Sequence, residues 1–133
     1  MNKSSLNKVI LIGRLGKDVE YRELGNGSVV ASTSLATAYS KKKGDAYEDV
    51  TSWHNIIAWG SIATFMKNYV KKGDQISIVG RIDYRKWTDK EGKNRTTTDI
   101  VAEELTILQS KREGKPEQPD KNQANQSNDD LPF

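Results

Sequence analysis

The chain has no cysteine and one histidine among its 133 residues. Without thiols it holds no disulfide framework, cysteine nucleophile, iron–sulfur cluster or cysteine-ligated zinc. A single imidazole, His54, excludes two-histidine metal motifs, and no partner constellation for a general base surrounds it. No apolar run approaches the roughly 20 residues that span a bilayer. The apolar run that follows Met1–Ser5 is broken by Gly13-Arg14, too early for a secretory segment. A cytoplasmic protein is expected.

Proline is absent from the first 108 residues. Pro116, Pro119 and Pro132 all lie beyond them, amid Gln118, Asn122, Gln123, Asn125, Gln126 and Asn128. Apolar side chains are scarce there too, with only Ala124, Leu131 and Phe133 in the last 25 residues. Such a composition cannot offset chain entropy by burial. Residues 1–108 therefore read as one folded domain and 109–128 as a disordered linker. The last five, Asp129-Asp130-Leu131-Pro132-Phe133, form a distinct acidic-hydrophobic tip. Of the formal net charge of +3, the body carries +4 and the last 25 residues −1. A basic body suits a polyanionic partner.

What is present in the body is β-pattern around one helix. Val9–Ile12 is a compact apolar run ended by Gly13. Gly25-Asn26-Gly27 separates the runs Val19–Leu24 and Ser28–Tyr39, a hairpin signal. Val50–Trp59 is rich in β-branched and aromatic residues. From Ser61 the period changes, with Ile62, Phe65, Met66, Tyr69 and Val70 three and four apart. This predicts a helix with Ser61 as N-cap and Lys71-Lys72-Gly73 at its end. Its apolar face is expected to close one end of a barrel. Two further strands, Gln75–Trp87 and Arg95–Leu108, are joined by the polar stretch Thr88–Asn94. The expected class is all-β: an OB-fold, a five-stranded Greek-key barrel with one helix between strands 3 and 4.

Alternation then sorts the faces. Ile76, Ile78, Gly80, Ile82 and Tyr84 are expected to face the core. Ser77, Val79, Arg81, Asp83, Arg85 and Trp87 are expected to face outward. Trp53 and Trp59 lie six residues apart, so a regular strand points both the same way, with Asn55 and Ile57 between them and His54, Ile56 and Ala58 opposite. Exposed aromatics beside cations suit unpaired nucleotides: bases stack on rings at about 1–3 kcal/mol each, and lysine or arginine neutralises the phosphates. The stretches Ser40–Tyr47, with Lys41, Lys42 and Lys43, and Thr88–Arg95, with Lys90, Lys93 and Arg95, read as flexible basic loops able to fold over a strand. Against this stands the packing role that any one tryptophan usually has.

The blocks Asn7–Asp18, Leu35-Ala36-Thr37, Trp53-His54, Trp59-Gly60, Lys72-Gly73 and Arg85-Lys86-Trp87-Thr88-Asp89 resemble, in order and spacing, the bacterial single-stranded-DNA-binding protein family. The ending Asp129–Phe133 resembles that family's tip. The resemblance implies a homotetramer of OB-folds that wraps single-stranded DNA, with no cofactor or metal, associated with the nucleoid. It places Trp53, Trp59 and Trp87 at base-stacking positions, with Trp59 where phenylalanine is common. Lys72 and Arg85 fall at phosphate positions, and His54 at a subunit interface. It further implies that the tip recruits replication, recombination and repair enzymes. One departure is clear: Lys41 stands where the family has a further tryptophan, and Tyr39 is the expected substitute ring. Competing readings are an OB-fold RNA-binding chaperone or primosomal accessory protein, and a nuclease using Asp83, Asp89 and Glu91.

Overall fold

Alternating apolar residues build a sheet that closes on itself. In the computed structural model, which describes residues 4–110, the elements run β1 (Val9–Leu15), β2 (Glu20–Glu23), β3 (Val29–Lys43), β4 (Ala46–Trp59), α1 (Gly60–Tyr69), β5 (Gln75–Thr88) and β6 (Asn94–Gln109). The sheet order is β1-β5-β6-β4-β3-β2, and a second pairing of β1 with β3 (Arg14 with Ala36, Leu15 with Leu35) closes the ring. The closed barrel thus has five strands, β1, β3, β4, β5 and β6. The four-residue β2 pairs only with β3 and lies outside the ring. Counted within the barrel, α1 sits between the third and fourth strands, the OB-fold layout. The β4–β6 pairing is parallel and short, from Asn55 opposite Asp99 to Ile57 opposite Val101. Asn7 lengthens the β1 edge: its amide donates to the Ile82 carbonyl and accepts from the Ile82 N–H, at 2.8 and 2.9 Å.

The core gathers one face of each barrel strand. Leu35, Ile56, Ile76 and Ile78 are fully buried, with Met66 and Val70 from the helical segment. Burying each of these side chains contributes about 1.5–3 kcal/mol. On β5 the alternation holds from Ile76 through Ile82. Tyr84, expected inside, is exposed because the strand has by then run past the barrel's end. On β6 an extra residue, Glu103, breaks the register between Val79–Glu104 and Gly80–Ala102. That bulge keeps Ile107 and Leu105 on the same side as Ala102 and Ile100 despite the change in parity.

Several expectations are corrected. Ser61 lies inside α1 rather than capping it. The N-cap is Trp59, with no side-chain cap bond, and the chain enters the helix through Gly60 at φ 63°, a conformation that favours glycine. Ala63 and Met66 form the buried stripe, whereas Phe65 and Tyr69 lie outside and pack on each other, ring centroids 5.0 Å apart. The stretch Ser40–Tyr47 is not a loop. β3 and β4 stay paired out to Lys43 and Ala46, held also by Lys43–Glu48 at 3.6 Å and Ser40–Asp49 at 3.2 Å. Gln109, placed in the linker by the sequence, closes β6. The rest of the linker from residue 111, and the tip Asp129–Phe133, lie outside the described residues.

Candidate nucleic-acid interface

The outward face of β4 carries Trp53, Asn55, Ile57 and Trp59, while Ile56 and Ala58 on the opposite face are fully buried. The two indoles are 62% and 49% exposed, and Trp87 is 45% exposed. None of the three rings is sealed in the core. At about 3.3 Å per residue, Trp53 and Trp59 stand roughly 20 Å apart along the strand.

Small residues make room beside this row. Val30, Ser32, Ser34 and Ala36 of β3 pair with Trp59, Ile57, Asn55 and Trp53 respectively. Gly16 lets the Trp53 ring lie against the backbone: a Cβ there would sit 2.3 Å from Cζ3 of the indole and 2.9 Å from Ser34 Oγ. On the other side β6 contributes Asp99 and Val101, and β5 contributes Asp83 and Arg85. Together with Trp59, Lys17, Glu20, Arg22 and Tyr84 they line an open cleft of about 620 Å³.

Four of the expected cations already have carboxylate partners. Arg85 donates from Nε to Asp99 Oδ2 at 3.1 Å and from Nη2 to Oδ1 at 3.4 Å; the Asp99 side chain is nearly buried and Arg85 is exposed. This hydrogen bond, reinforced by the carboxylate's charge, raises the Arg85 pKa further. Arg81 meets Glu103 at 3.2 Å, Arg95 meets Asp89 at 2.9 Å and Lys43 meets Glu48 at 3.6 Å. Lys41, Lys42, Lys72, Lys90 and Lys93 have no ion-pair partner among the described residues.

The β5–β6 turn is an organised structure rather than a flexible loop. Asp89 Oδ1 accepts the N–H groups of Glu91 and Lys93, each at 2.9 Å, and Oδ2 accepts Arg95 Nε at 2.9 Å. These donors, the Lys93 N–H foremost and then Arg95, hold the Asp89 carboxyl below its ordinary pKa. The turn presents Lys90 and Lys93 beyond Trp87, whose indole Nε1 donates to Thr97 Oγ1 at 2.8 Å. Trp87, Arg95 and neighbouring residues line a second, smaller groove.

Not every expected residue shares this face. Lys72 follows the helix, and its backbone N–H donates to Asp18. Parity on β3 puts Tyr39, Lys41 and Lys43 on the side of Leu35, opposite Trp53. His54 is half-buried on that side, with its Nε2 3.0 Å from Thr37 Oγ1. The sequence reading missed Arg22, which pairs with Val30 one strand over from Trp59. The alternation Glu20-Tyr21-Arg22 was the signal for it. Among the described residues, no group of three or more His, Cys, Asp or Glu side chains is placed to hold a metal ion, and no helix is long and apolar enough to cross a membrane.

Comparison with known proteins agrees with this geometry. Residues 6–108 match the model of the single-strand binding protein family. Single-stranded DNA-binding protein 1 of Xylella fastidiosa is 39% identical over 112 residues, covering 83% of this chain and 82% of its own. The single-stranded DNA-binding protein of Neisseria meningitidis serogroup A is 44% identical over 111 residues, 82% of this chain but 63% of its own length. A solved structure of Plasmodium falciparum SSB in complex with ssDNA superposes with a TM-score of 0.74 at 31% identity, covering 81% of this chain and 99% of that one. With its family model matched across nearly all of the described residues, the chain belongs to the single-strand binding protein family.

Proposed function

We propose that this chain binds single-stranded DNA without sequence specificity, stacking bases on Trp53, Trp59 and Trp87 and neutralising phosphates with the cations that flank them. The observation that carries this reading is the exposed row of indoles on one open face, with Trp59 in the cleft that Lys17, Arg22 and Arg85 also line. Neither ring stacking nor phosphate contact reads base identity, so the combination fits any unpaired strand. The relatives' names and the ssDNA in the Plasmodium complex support the same ligand.

The chain acts as a binding protein and not an enzyme. Of the carboxylates weighed for a nuclease, Asp89 is engaged by its own turn and by Arg95. In this reading the protein assembles as a homotetramer with His54 at a subunit interface. It coats and protects exposed strands during replication, recombination and repair, and recruits the enzymes of those processes through Asp129–Phe133. The tip offers two acids to a basic pocket and the Phe133 ring to an apolar slot.

Titration of the full chain with oligo-dT tests this. Strong quenching of tryptophan emission, with duplex DNA a poor competitor, is the expected result. Equal affinity for duplex, or no quenching at all, overturns the reading. Tighter binding to the matching RNA would turn it into an RNA-binding function on the same face.

A further inference from the structure

The β3–β4 hairpin carries an aromatic–cation pair outside the stacking set. Its register is unbroken from Val30–Trp59 to Lys43–Ala46. Alternation can therefore be followed from the barrel to the hairpin tip without a change of phase. On β4 the residues that share the Trp59 face are Ile57, Asn55, Trp53, Thr51, Asp49 and Tyr47. Tyr47, Trp53 and Trp59 thus stand six residues apart in succession, each step roughly 20 Å along the strand.

Tyr47 is 70% exposed, so packing does not account for its ring. Directly across the ladder is Lys42, on the same face and without an ion-pair partner among the described residues. The neighbouring carboxylates are engaged: Glu48 with Lys43 on the opposite face, and Asp49 with Ser40 Oγ. The same arrangement recurs on the other long hairpin, where Trp87 lies directly across from Arg95. Each hairpin therefore presents one flat ring with a cation opposite it, the two groups that a nucleotide's base and phosphate require.

We infer that Tyr47 and Lys42 form a further contact for single-stranded DNA, extending the Trp59–Trp53 row onto the hairpin. Tyr39 and Lys41 share the opposite face of the hairpin, so neither belongs to this row. This inference rests on the proposed ssDNA binding, and the experiment separates the two.

Binding of dT16 to the full-length protein is measured over a range of salt concentrations for wild type, Tyr47→Ala, Tyr47→Phe, Lys42→Ala, Tyr39→Ala and Trp53→Ala, with thermal melts confirming that each variant is folded. Tyr47→Ala is expected to weaken binding by about 5- to 150-fold, the worth of one stacked base, and by more than Tyr39→Ala. Tyr47→Phe keeps the ring and is expected to retain wild-type affinity. Lys42→Ala is expected to reduce the slope of log K against log salt by about 0.7. Wild-type affinity in Tyr47→Ala alongside weakened Trp53→Ala overturns the inference and leaves the ssDNA reading standing. Failure of wild type itself to bind dT16 removes both.

Discussion

Trp87 and Arg95 stand opposite one another on the β5–β6 ladder, and each is fixed by a neighbour rather than by the other. The indole donates to Thr97 and the guanidinium is held by Asp89. A ring and a cation that are both pre-positioned bind a nucleotide without first having to be ordered.

This relationship separates the ring's contribution from its orientation. Trp87→Ala is expected to weaken oligo-dT binding by about 1–3 kcal/mol. Its stability should stay close to wild type, since the ring lies outside the core. Thr97→Val keeps the ring but removes its hydrogen-bond partner, at a cost of about 0.5–1.5 kcal/mol in binding. Fluorescence titration and a thermal melt on each variant check both. A large drop in melting temperature for Trp87→Ala would mark the ring as structural.

Gly16 is the floor under Trp53. A methyl group there would meet Cζ3 of the indole at 2.3 Å, so in Gly16→Ala the ring must swing away. The variant is expected to fold, because the obstructing atoms belong to exposed or half-buried side chains. Its oligo-dT affinity should fall towards that of Trp53→Ala, with a shifted tryptophan emission maximum. Gly80→Ala is the contrast. There the new methyl group would meet the Val101 carbonyl oxygen at 2.1 Å, and backbone cannot swing aside. It is expected to lose stability sharply, as a chemical-denaturation midpoint would show.

Much of this face was legible because β4 obeys strict alternation. Two tryptophans at an even spacing, with Ile56 and Ala58 in the opposite phase, settled which way each ring points. The closing helix was less legible, since Phe65 and Tyr69 share its apolar period yet pack on each other outside the barrel. Period alone does not tell a core stripe from its flank. Tyr84 misled for a related reason: a face continues along a strand after the core has ended. The bulge at Glu103 left no mark in the residue pattern, because Val101, Ala102 and Leu105 are apolar in either phase. Tyr47 was hidden by the run Lys41-Lys42-Lys43-Gly44, which reads as a loop. Only the cross-strand partners along the hairpin show that β3 and β4 continue through it.

The Arg85–Asp99 pair sets how many cations remain for phosphates. Asp99 is nearly buried, and Asp83 lies directly across the ladder from it, so the carboxylate draws Arg85 inward. Asp99→Asn keeps the shape of the side chain while removing its charge and one of the two oxygens that accept from Arg85. It is expected to release Arg85 to a phosphate, raising oligo-dT affinity at low salt. It should also steepen the slope of log K against log salt by about 0.7, the increment for one further phosphate on a single strand. Arg85→Ala leaves Asp99 unpaired and its charge uncompensated, so affinity is expected to fall while the salt slope stays near that of wild type. Because Arg85 is mostly exposed and the pair partly screened, its expected cost in stability is only about 1–2 kcal/mol. Salt titrations of both variants measure the effect.

Asp89 makes the β5–β6 turn sensitive to acid. Its carboxyl is held below the ordinary value, chiefly by the Lys93 N–H and then by Arg95. A group whose folded pKa is depressed stabilises the folded form fully above its unfolded value, near 3.9 for aspartate, and loses that contribution as pH falls through the folded value. The turn should therefore hold unchanged from neutral pH down to about 5. Below about 4 its hold should begin to weaken, and it is lost once the pH falls through the lowered folded value, releasing Arg95 and the Lys93 amide. Hydrogen exchange at Lys93, followed from pH 7 to about pH 2 after correction for intrinsic rates, reads this directly. Asp89→Asn removes the titrating group, and its Lys93 protection should be lower throughout and flat across the acid range. A wild-type profile equally flat would show that the turn is held by its backbone bonds alone, the Asp89 N–H to the Lys93 carbonyl and the Gly92 N–H to the Asp89 carbonyl.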